Sequence, residues 1–94
     1  MSDSETTIVK EFVVRNKYGI HARPAALLVK TASKFTCNIT ISKDGMSIPG
    51  KSIMGLLTLE AHPDSTLVVT FDGPDAQSAS EALTELFDNK FYED

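Results

Sequence analysis

An Asp-Gly pair near the middle of the chain constrains the fold more than any other feature. Asp44-Gly45 follows a segment, residues 37–42, in which apolar and polar residues alternate. Alternation with a period of two predicts a half-buried strand, and a two-residue Asp-Gly connection favours a hairpin. The chain would then return as a short strand over Met46 to Ile48, which Pro49-Gly50 ends. We therefore expect an antiparallel sheet around this hairpin.

Periodicity and turn residues predict the remaining elements on either side of the hairpin. These are strands over Ile8 to Val14 and Leu67 to Phe71, a helix that runs to about Ser33, a short helix over Ile53 to Leu57 and a final helix that opens after Asp72-Gly73-Pro74-Asp75. Asp75 lies favourably near the positive end of the final helix. The order βαββαβα predicts an α+β fold, with an antiparallel sheet and its helices on one face.

Size and composition limit the chain to one small domain. Of its 94 residues, 41% are apolar, which suits a single modest core, so we expect one domain over residues 1–94 with residues 1–7 as a flexible leader. No apolar run is long enough to span a bilayer, and the polar N-terminus is unlike a signal sequence. The single cysteine, Cys37, fits a reducing cytoplasm. A net charge of −4 without a basic stripe argues against nucleic acid and favours protein partners.

The segment GIHARPA, from Gly19 to Ala25, places His21 and Arg23 at the start of the predicted first helix. Backbone N–H groups in a first helical turn have no intrahelical acceptor, and the macrodipole is positive at this end. Pro24 is tolerated there because a first-turn N–H has no helical partner to lose. An anion attached to His21 would meet these donors and the planar guanidinium of Arg23. The arrangement suits a phosphoryl group carried on an imidazole.

Two segments resemble one known family. GIHARPA resembles the active-site segment of HPr proteins, the histidine-containing phosphocarriers of the bacterial sugar phosphotransferase system. About thirty residues further on, Lys51-Ser52-Ile53-Met54-Gly55 resembles the regulatory-serine region of the same family. The similarity extends from about Ile8 to Phe87, which is nearly the whole chain.

The resemblance implies a fold, a chemistry and a set of partners. It implies an open-faced β-sandwich of four strands and three helices, and a carrier rather than an enzyme, without a cofactor. The phosphoryl group is expected on Nδ1 of His21, near the backbone N–H groups of Ala22 and Arg23 and the Arg23 guanidinium. Enzyme I would supply the group and the A component of an enzyme II would receive it, with the carrier acting as a cytoplasmic monomer.

Ser52 and the apolar residues after it form a second region of interest. From the residues alone, Ser52 is expected to cap a helix, with Ile53, Met54 and Leu57 partly in the core. The resemblance implies that HPr kinase/phosphorylase phosphorylates Ser52 and that the three apolar residues, near His21, dock partners. An alternative function is a regulatory module of carbon catabolite or nitrogen control that binds a transcriptional regulator according to its phosphorylation state. The GIHARPA segment favours the carrier.

Two other kinds of site are disfavoured by the sequence. Gly45 to Ser52, GMSIPGKS, matches the P-loop pattern of enzymes that hydrolyse ATP or GTP. A parallel nucleotide-binding sheet needs crossovers of a dozen or more residues each, and a chain of 94 residues supplies too few of them. His21, Cys37 and His62 lack the spacing of metal ligands, so no metal site is expected.

Several features, including the following three, differ from the pattern usual in the HPr family. Tyr18 stands where small polar residues are usual, Glu60 stands where many relatives have glycine, and the tail over Phe91 to Asp94 is unusual. None of them alters His21, Arg23 or the serine. They bear on the choice of partners.

Overall fold

Four strands, three α-helices and a short 3₁₀ helix make up the fold of residues 6–93, which are the residues that the computed structural model describes. The strands are β1 (Thr7–Val13), β2 (Asn38–Lys43), β3 (Met46–Pro49) and β4 (Thr66–Asp72). The helices are α1 (Ala22–Ala32), α2 (Ile53–Leu59), α3 (Ala76–Asp88) and the 3₁₀ helix Lys90–Tyr92. The strands pair in the order β1-β4-β2-β3 and every pairing is antiparallel, which confirms the predicted βαββαβα fold.

The core lies between the helices and one face of the sheet. Along β1, β2 and β4 the less exposed residues alternate with more exposed ones, as the period of two predicts. In β1, for example, Phe12 is buried whereas Val9 remains 61% exposed. The Phe12 ring stacks on Phe87 of α3, with centroids 4.4 Å apart and planes 11° from parallel. This contact joins the last long helix to the edge strand.

The predicted hairpin is present between β2 and β3. Asp44 and Gly45 form its two-residue turn with positive φ angles of 52° and 86°, which is the backbone that a tight hairpin of this kind requires. Lys43 and Met46 pair directly across the turn.

The same hairpin excludes the P-loop interpretation of GMSIPGKS. Its first glycine, Gly45, is the turn residue, and Met46–Pro49 form strand β3 in an entirely antiparallel sheet. The lysine of the pattern, Lys51, donates from Nζ to the carbonyl oxygens of Phe35 at 2.7 Å and Cys37 at 3.0 Å. That lysine therefore holds the loop before β2 and is not directed at a phosphate.

Several boundaries differ from those predicted. Strand β1 begins at Thr7, inside the stretch predicted as a leader, because Thr7 pairs with Asp72 and its hydroxyl donates to the Asp72 carboxylate at 2.9 Å. Residues 1–5 of that stretch lie outside the described residues. In α1, Ala22 and Ala26 lie on the exposed side, although their spacing matches that of the buried residues. The 3₁₀ helix after α3 was not predicted.

Asp75 is the N-cap residue of α3, at the positive end of that helix as predicted, but its side chain makes no capping hydrogen bond to the helix. The carboxylate has a further role that was not predicted. It accepts the backbone N–H groups of Thr36 at 2.8 Å and Cys37 at 2.9 Å. These two donors hold the entry of β2 against the start of α3, and a charged acceptor makes such bonds stronger.

Candidate functional site

The loop before α1 has a conformation that only glycine accommodates at Gly19. Its φ is +72°, and a Cβ atom at this position would collide with the carbonyl oxygen of Ala61. The next residue, Ile20, donates its N–H to the same carbonyl at 2.9 Å and is buried. The loop is thus fixed immediately before His21.

His21 is the N-cap residue of α1. Its backbone is extended (φ −88°, ψ −169°), its carbonyl accepts the N–H of Ala25 at 2.9 Å, and its side chain does not cap the helix. The imidazole is therefore available for other contacts, and 42% of the side chain is exposed. An exposed imidazole at a helix start can be reached by a partner and lies in the positive field of the helix.

Backbone N–H donors and cationic side chains lie on the part of the chain around His21. Ala22 and Arg23 are the first helical residues, whose N–H groups have no acceptor within the helix. The exposed Arg23 side chain lines a surface cleft of about 390 Å³ together with Lys17, Tyr18, Tyr92 and Glu93. The cleft combines two cations and two aromatic side chains with one carboxylate, that of Glu93. Its two cations, Lys17 and Arg23, attract an anionic group that a protein partner presents.

Glu93 contacts the imidazole directly, and the sequence did not predict this contact. The Nε2 atom of His21 lies 3.1 Å from Oε2 of Glu93 and 3.4 Å from Oε1. Asn16, which is fully buried, donates from Nδ2 to Oε1 of Glu93 at 3.0 Å and to the carbonyl of Gly19 at 2.6 Å. Only 14% of the Glu93 side chain is exposed. The carboxylate is thus contacted by His21 itself and by Asn16, which lies in the loop before it.

Tyr18 also contacts the histidine. Its ring meets the imidazole edge-on, with centroids 6.4 Å apart and planes at 79°. Lys17 lies over the tyrosine ring at 5.3 Å from its centroid. Since 70% of Tyr18 is exposed, the ring forms part of the rim that an approaching protein would meet.

Ser52 begins α2 and caps it, as the residues predicted. Its Oγ accepts the backbone N–H of Gly55 at 3.0 Å. The apolar residues that follow are largely outside the core, because Ile53 is 40% exposed, Met54 74% and Leu57 36%. Since α2 packs against α1, these three side chains lie on the helical side of the molecule, as His21 does. We call Ile53, Met54 and Leu57 the α2 patch.

The remaining reactive residue is Cys37, which is buried. Burial first, and the neighbouring Asp75 carboxylate second, raise the pKa of its thiol to about 11. Residues 6–93 contain no group of three or more His, Cys, Asp or Glu side chains positioned to hold a metal ion. In the same part of the chain, no helix has both the length and the apolar character needed to cross a membrane.

Comparison with known proteins gives consistent matches over most of the chain. The family model described as "PTS HPr component phosphorylation site" matches residues 8–89. Phosphocarrier protein HPr of Xylella fastidiosa strain 9a5c is 48% identical over 84 residues, which cover 89% of this chain and 94% of the relative.

Two crystal structures are similar to the whole fold. HPr-C-His from Thermoanaerobacter tengcongensis superposes with a TM-score of 0.85 and 39% identity, over 95% of this chain and 98% of the other. HPr from Bacillus anthracis superposes with a TM-score of 0.83 and 40% identity, over 87% and 98% of the two chains. The similarity therefore includes both the sheet and the helices packed on it.

These matches, together with a half-exposed histidine at a helix start, define a phosphocarrier, a protein that bears a phosphoryl group and is not a catalytic enzyme. The chain belongs to the HPr family of the phosphotransferase system. Membership implies enzyme I and enzyme II A components as partners.

Proposed function

We propose that His21 accepts a phosphoryl group on Nδ1 from enzyme I and passes it to the A component of an enzyme II. The observation that carries this proposal is the half-exposed imidazole at the N-cap of α1, with Arg23 two residues further on. A carrier needs a nucleophile that one protein can load and a second protein can unload. An exposed side chain on a rigid helix start meets both needs.

The transfer is a substitution at phosphorus. The lone pair of Nδ1 forms the new P–N bond, the bond from phosphorus to the donor atom breaks, and its electron pair remains with the donor. Such a step depends on position and charge compensation more than on acid–base chemistry. The N–H groups of Ala22 and Arg23 and the Arg23 guanidinium would stabilise the phosphoryl oxygens. Passage to the enzyme II component is the same substitution in the opposite direction.

A labelling experiment tests this assignment. The protein is incubated with enzyme I and radioactive phosphoenolpyruvate, and the acid-labile label is measured. We expect His21→Ala to take up none, while His62→Ala, which changes the chain's other histidine, is labelled normally. Arg23→Ala should slow the uptake without unfolding the domain, and Arg23→Lys should be intermediate because lysine keeps the charge but lacks the planar fork. Normal labelling of His21→Ala would contradict the assignment.

We propose Ser52 as a regulatory site that HPr kinase/phosphorylase phosphorylates. A transcriptional regulator would then bind the phosphorylated protein. Its hydroxyl is partly exposed and directly precedes the α2 patch. A phosphate there would add a charge of about −1.5 to −2 beside apolar side chains that we propose to dock enzyme I and enzyme II A. The added charge would weaken docking to acidic partners without refolding the domain, because an anion at the start of a helix is favourable.

Ser52→Asp tests the regulatory proposal, because aspartate adds negative charge and can still cap α2. We expect slower phosphoryl uptake at His21, with unchanged thermal stability. Ser78→Asp places the same change on the exposed side of α3 and should leave the rate unaltered. An unchanged rate in Ser52→Asp would contradict regulation through docking. We propose the cytoplasm as the site of action and a monomer as the working form.

A further inference from the structure

The contact between His21 and Glu93 bears on which imidazole nitrogen is free to react. A neutral imidazole carries one proton, and the nitrogen without it is the nucleophile. Because a carboxylate only accepts hydrogen bonds, the proton lies on Nε2, the atom 3.1 Å from Oε2 of Glu93. Nδ1 is then left with its lone pair.

We propose that Glu93 is a positioning residue for phosphoryl transfer, which fixes the Nε2–H tautomer of His21 and so presents Nδ1 to phosphorus. This inference rests on the proposed function, and it assigns a role to a tail residue. The carboxylate is itself held, because Asn16 Nδ2 donates to its Oε1 at 3.0 Å. A ring bound at Nε2 also has less freedom to rotate away from the helix start.

The charge of Glu93 favours the same step. When the Nδ1 lone pair forms the P–N bond while Nε2 keeps its proton, the imidazole ring becomes formally cationic. The carboxylate faces this developing charge from the side of the ring opposite the phosphoryl group. The same two effects, selection of a tautomer and compensation of the positive charge, are produced in serine proteases by a buried aspartate that contacts the catalytic histidine.

The environment of Glu93 predicts an unusual effect of its amide analogue. Asn16 Nδ2 donates both to Gly19 O and to the Glu93 carboxylate. In Glu93→Gln, the new amide oxygen would therefore face Asn16, and the new NH₂ group would face Nε2 of His21. A donor at that place requires Nε2 to be an acceptor, which moves the ring proton to Nδ1 and removes the nucleophilic lone pair.

Nitrogen NMR of the imidazole, combined with the uptake assay, tests the proposal. The ¹⁵N shifts of the two ring nitrogens report the tautomer in mildly alkaline buffer. We expect mainly Nε2–H in the wild type, a mixture in Glu93→Ala, and mainly Nδ1–H in Glu93→Gln. Uptake from enzyme I should fall by about three-fold in Glu93→Ala and by roughly ten-fold or more in Glu93→Gln. Glu81→Gln, on the exposed side of α3, is the matched control and should change neither quantity.

A role for Glu93 in tail packing alone would give the opposite order, since the isosteric glutamine would be the milder change. Wild-type tautomer and uptake in Glu93→Gln would overturn the proposal, as would faster uptake in Glu93→Ala, which would mean that the tail obstructs the ring. If the wild type itself took up no label, the proposed function would fail. The tautomer shifts would then still support Glu93 as the residue that orients His21.

Discussion

Phe91 meets Phe87 edge-on, with ring centroids 4.9 Å apart and planes at 72°. Phe91 is 3% exposed, although its backbone and those of Lys90 and Tyr92 have positive φ angles of 53° to 58°. The left-handed region costs a non-glycine residue roughly 1–2 kcal/mol. Burial of the Phe91 ring must therefore offset the backbone cost of all three residues. The resulting turn directs Glu93 back to His21.

Removal of the Phe91 ring should release the tail. We expect Phe91→Ala to lower the free energy of unfolding by roughly 3–5 kcal/mol, since it removes a buried aromatic side chain. It should also reproduce the mixed tautomer of Glu93→Ala, because Glu93 loses its anchor. Urea unfolding and imidazole ¹⁵N shifts measure the two effects. Tyr92→Ala, at a position that is 60% exposed, should cost less than about 1 kcal/mol, and equal costs for the two variants would contradict the anchoring role.

Asp75 should make stability depend on pH at the acidic end. The backbone N–H of Thr36 first, and that of Cys37, hold the pKa of Asp75 below its usual value of 3.8. The unfolded chain therefore binds this proton more tightly, so the contribution is present above pH 3.8 and is lost as the pH falls through the lower, folded value. Urea titrations should show Asp75→Asn less stable than the wild type near neutral pH, with the difference shrinking in acid.

A carboxylate on the same helix provides the control for Asp75. Asp88 is exposed at the end of α3, and Asp88→Asn should show no such convergence with the wild type in acid. A difference between wild type and Asp75→Asn that stayed constant from neutral to acidic pH would assign the effect to packing instead.

Cys37 should react slowly with thiol reagents in the folded protein. Because its pKa rises from 9.0 to about 11, the thiolate fraction at a given mildly alkaline pH is about 100-fold lower than in the unfolded chain. Burial excludes the reagent as well. We therefore expect the folded protein to release colour from an aromatic disulfide more than about 100-fold more slowly than the urea-unfolded protein does. The chain has one cysteine, which makes the signal unambiguous. Equal rates would show that the β2 entry opens readily.

Two glycines with positive φ should respond differently to alanine. Gly19→Ala places a methyl group against the Ala61 carbonyl, whereas Gly45→Ala points into open space. We expect costs of roughly 2–4 kcal/mol for Gly19→Ala and about 1 kcal/mol for Gly45→Ala in urea unfolding. Only the first should also slow phosphoryl uptake, because it displaces the loop before His21. A similar cost at both positions would mean that the loop adjusts.

The regular elements could be predicted because local patterns determine them. Alternation and the Asp44-Gly45 turn specify the central hairpin, and Ser52 caps the helix that its hydroxyl predicts. The residues that identify the segment around His21 are adjacent in sequence. In each case the physical cause lies within a few residues.

The tail contact and the Asp75 clamp could not be predicted in this way. Glu93 and His21 are 72 residues apart, and the path between them includes a left-handed turn over Lys90–Tyr92 that no local propensity favours. Asp75 resembles an ordinary helix cap until β2 is placed beside it. Phe91 is the one local indication, because phenylalanine is among the residue types most often buried and its burial would bring the tail back onto the domain.

The imidazole–carboxylate pair joins residues that are 72 positions apart in the chain. A contact between such distant positions closes a large loop, and the entropic cost of closing it becomes small only after the rest of the polypeptide is ordered. A partly synthesised or clipped molecule would therefore present an unrestrained histidine, and only the finished domain would offer its partners an oriented one. The orientation of His21 that favours phosphoryl transfer therefore depends on the folded state of the whole domain.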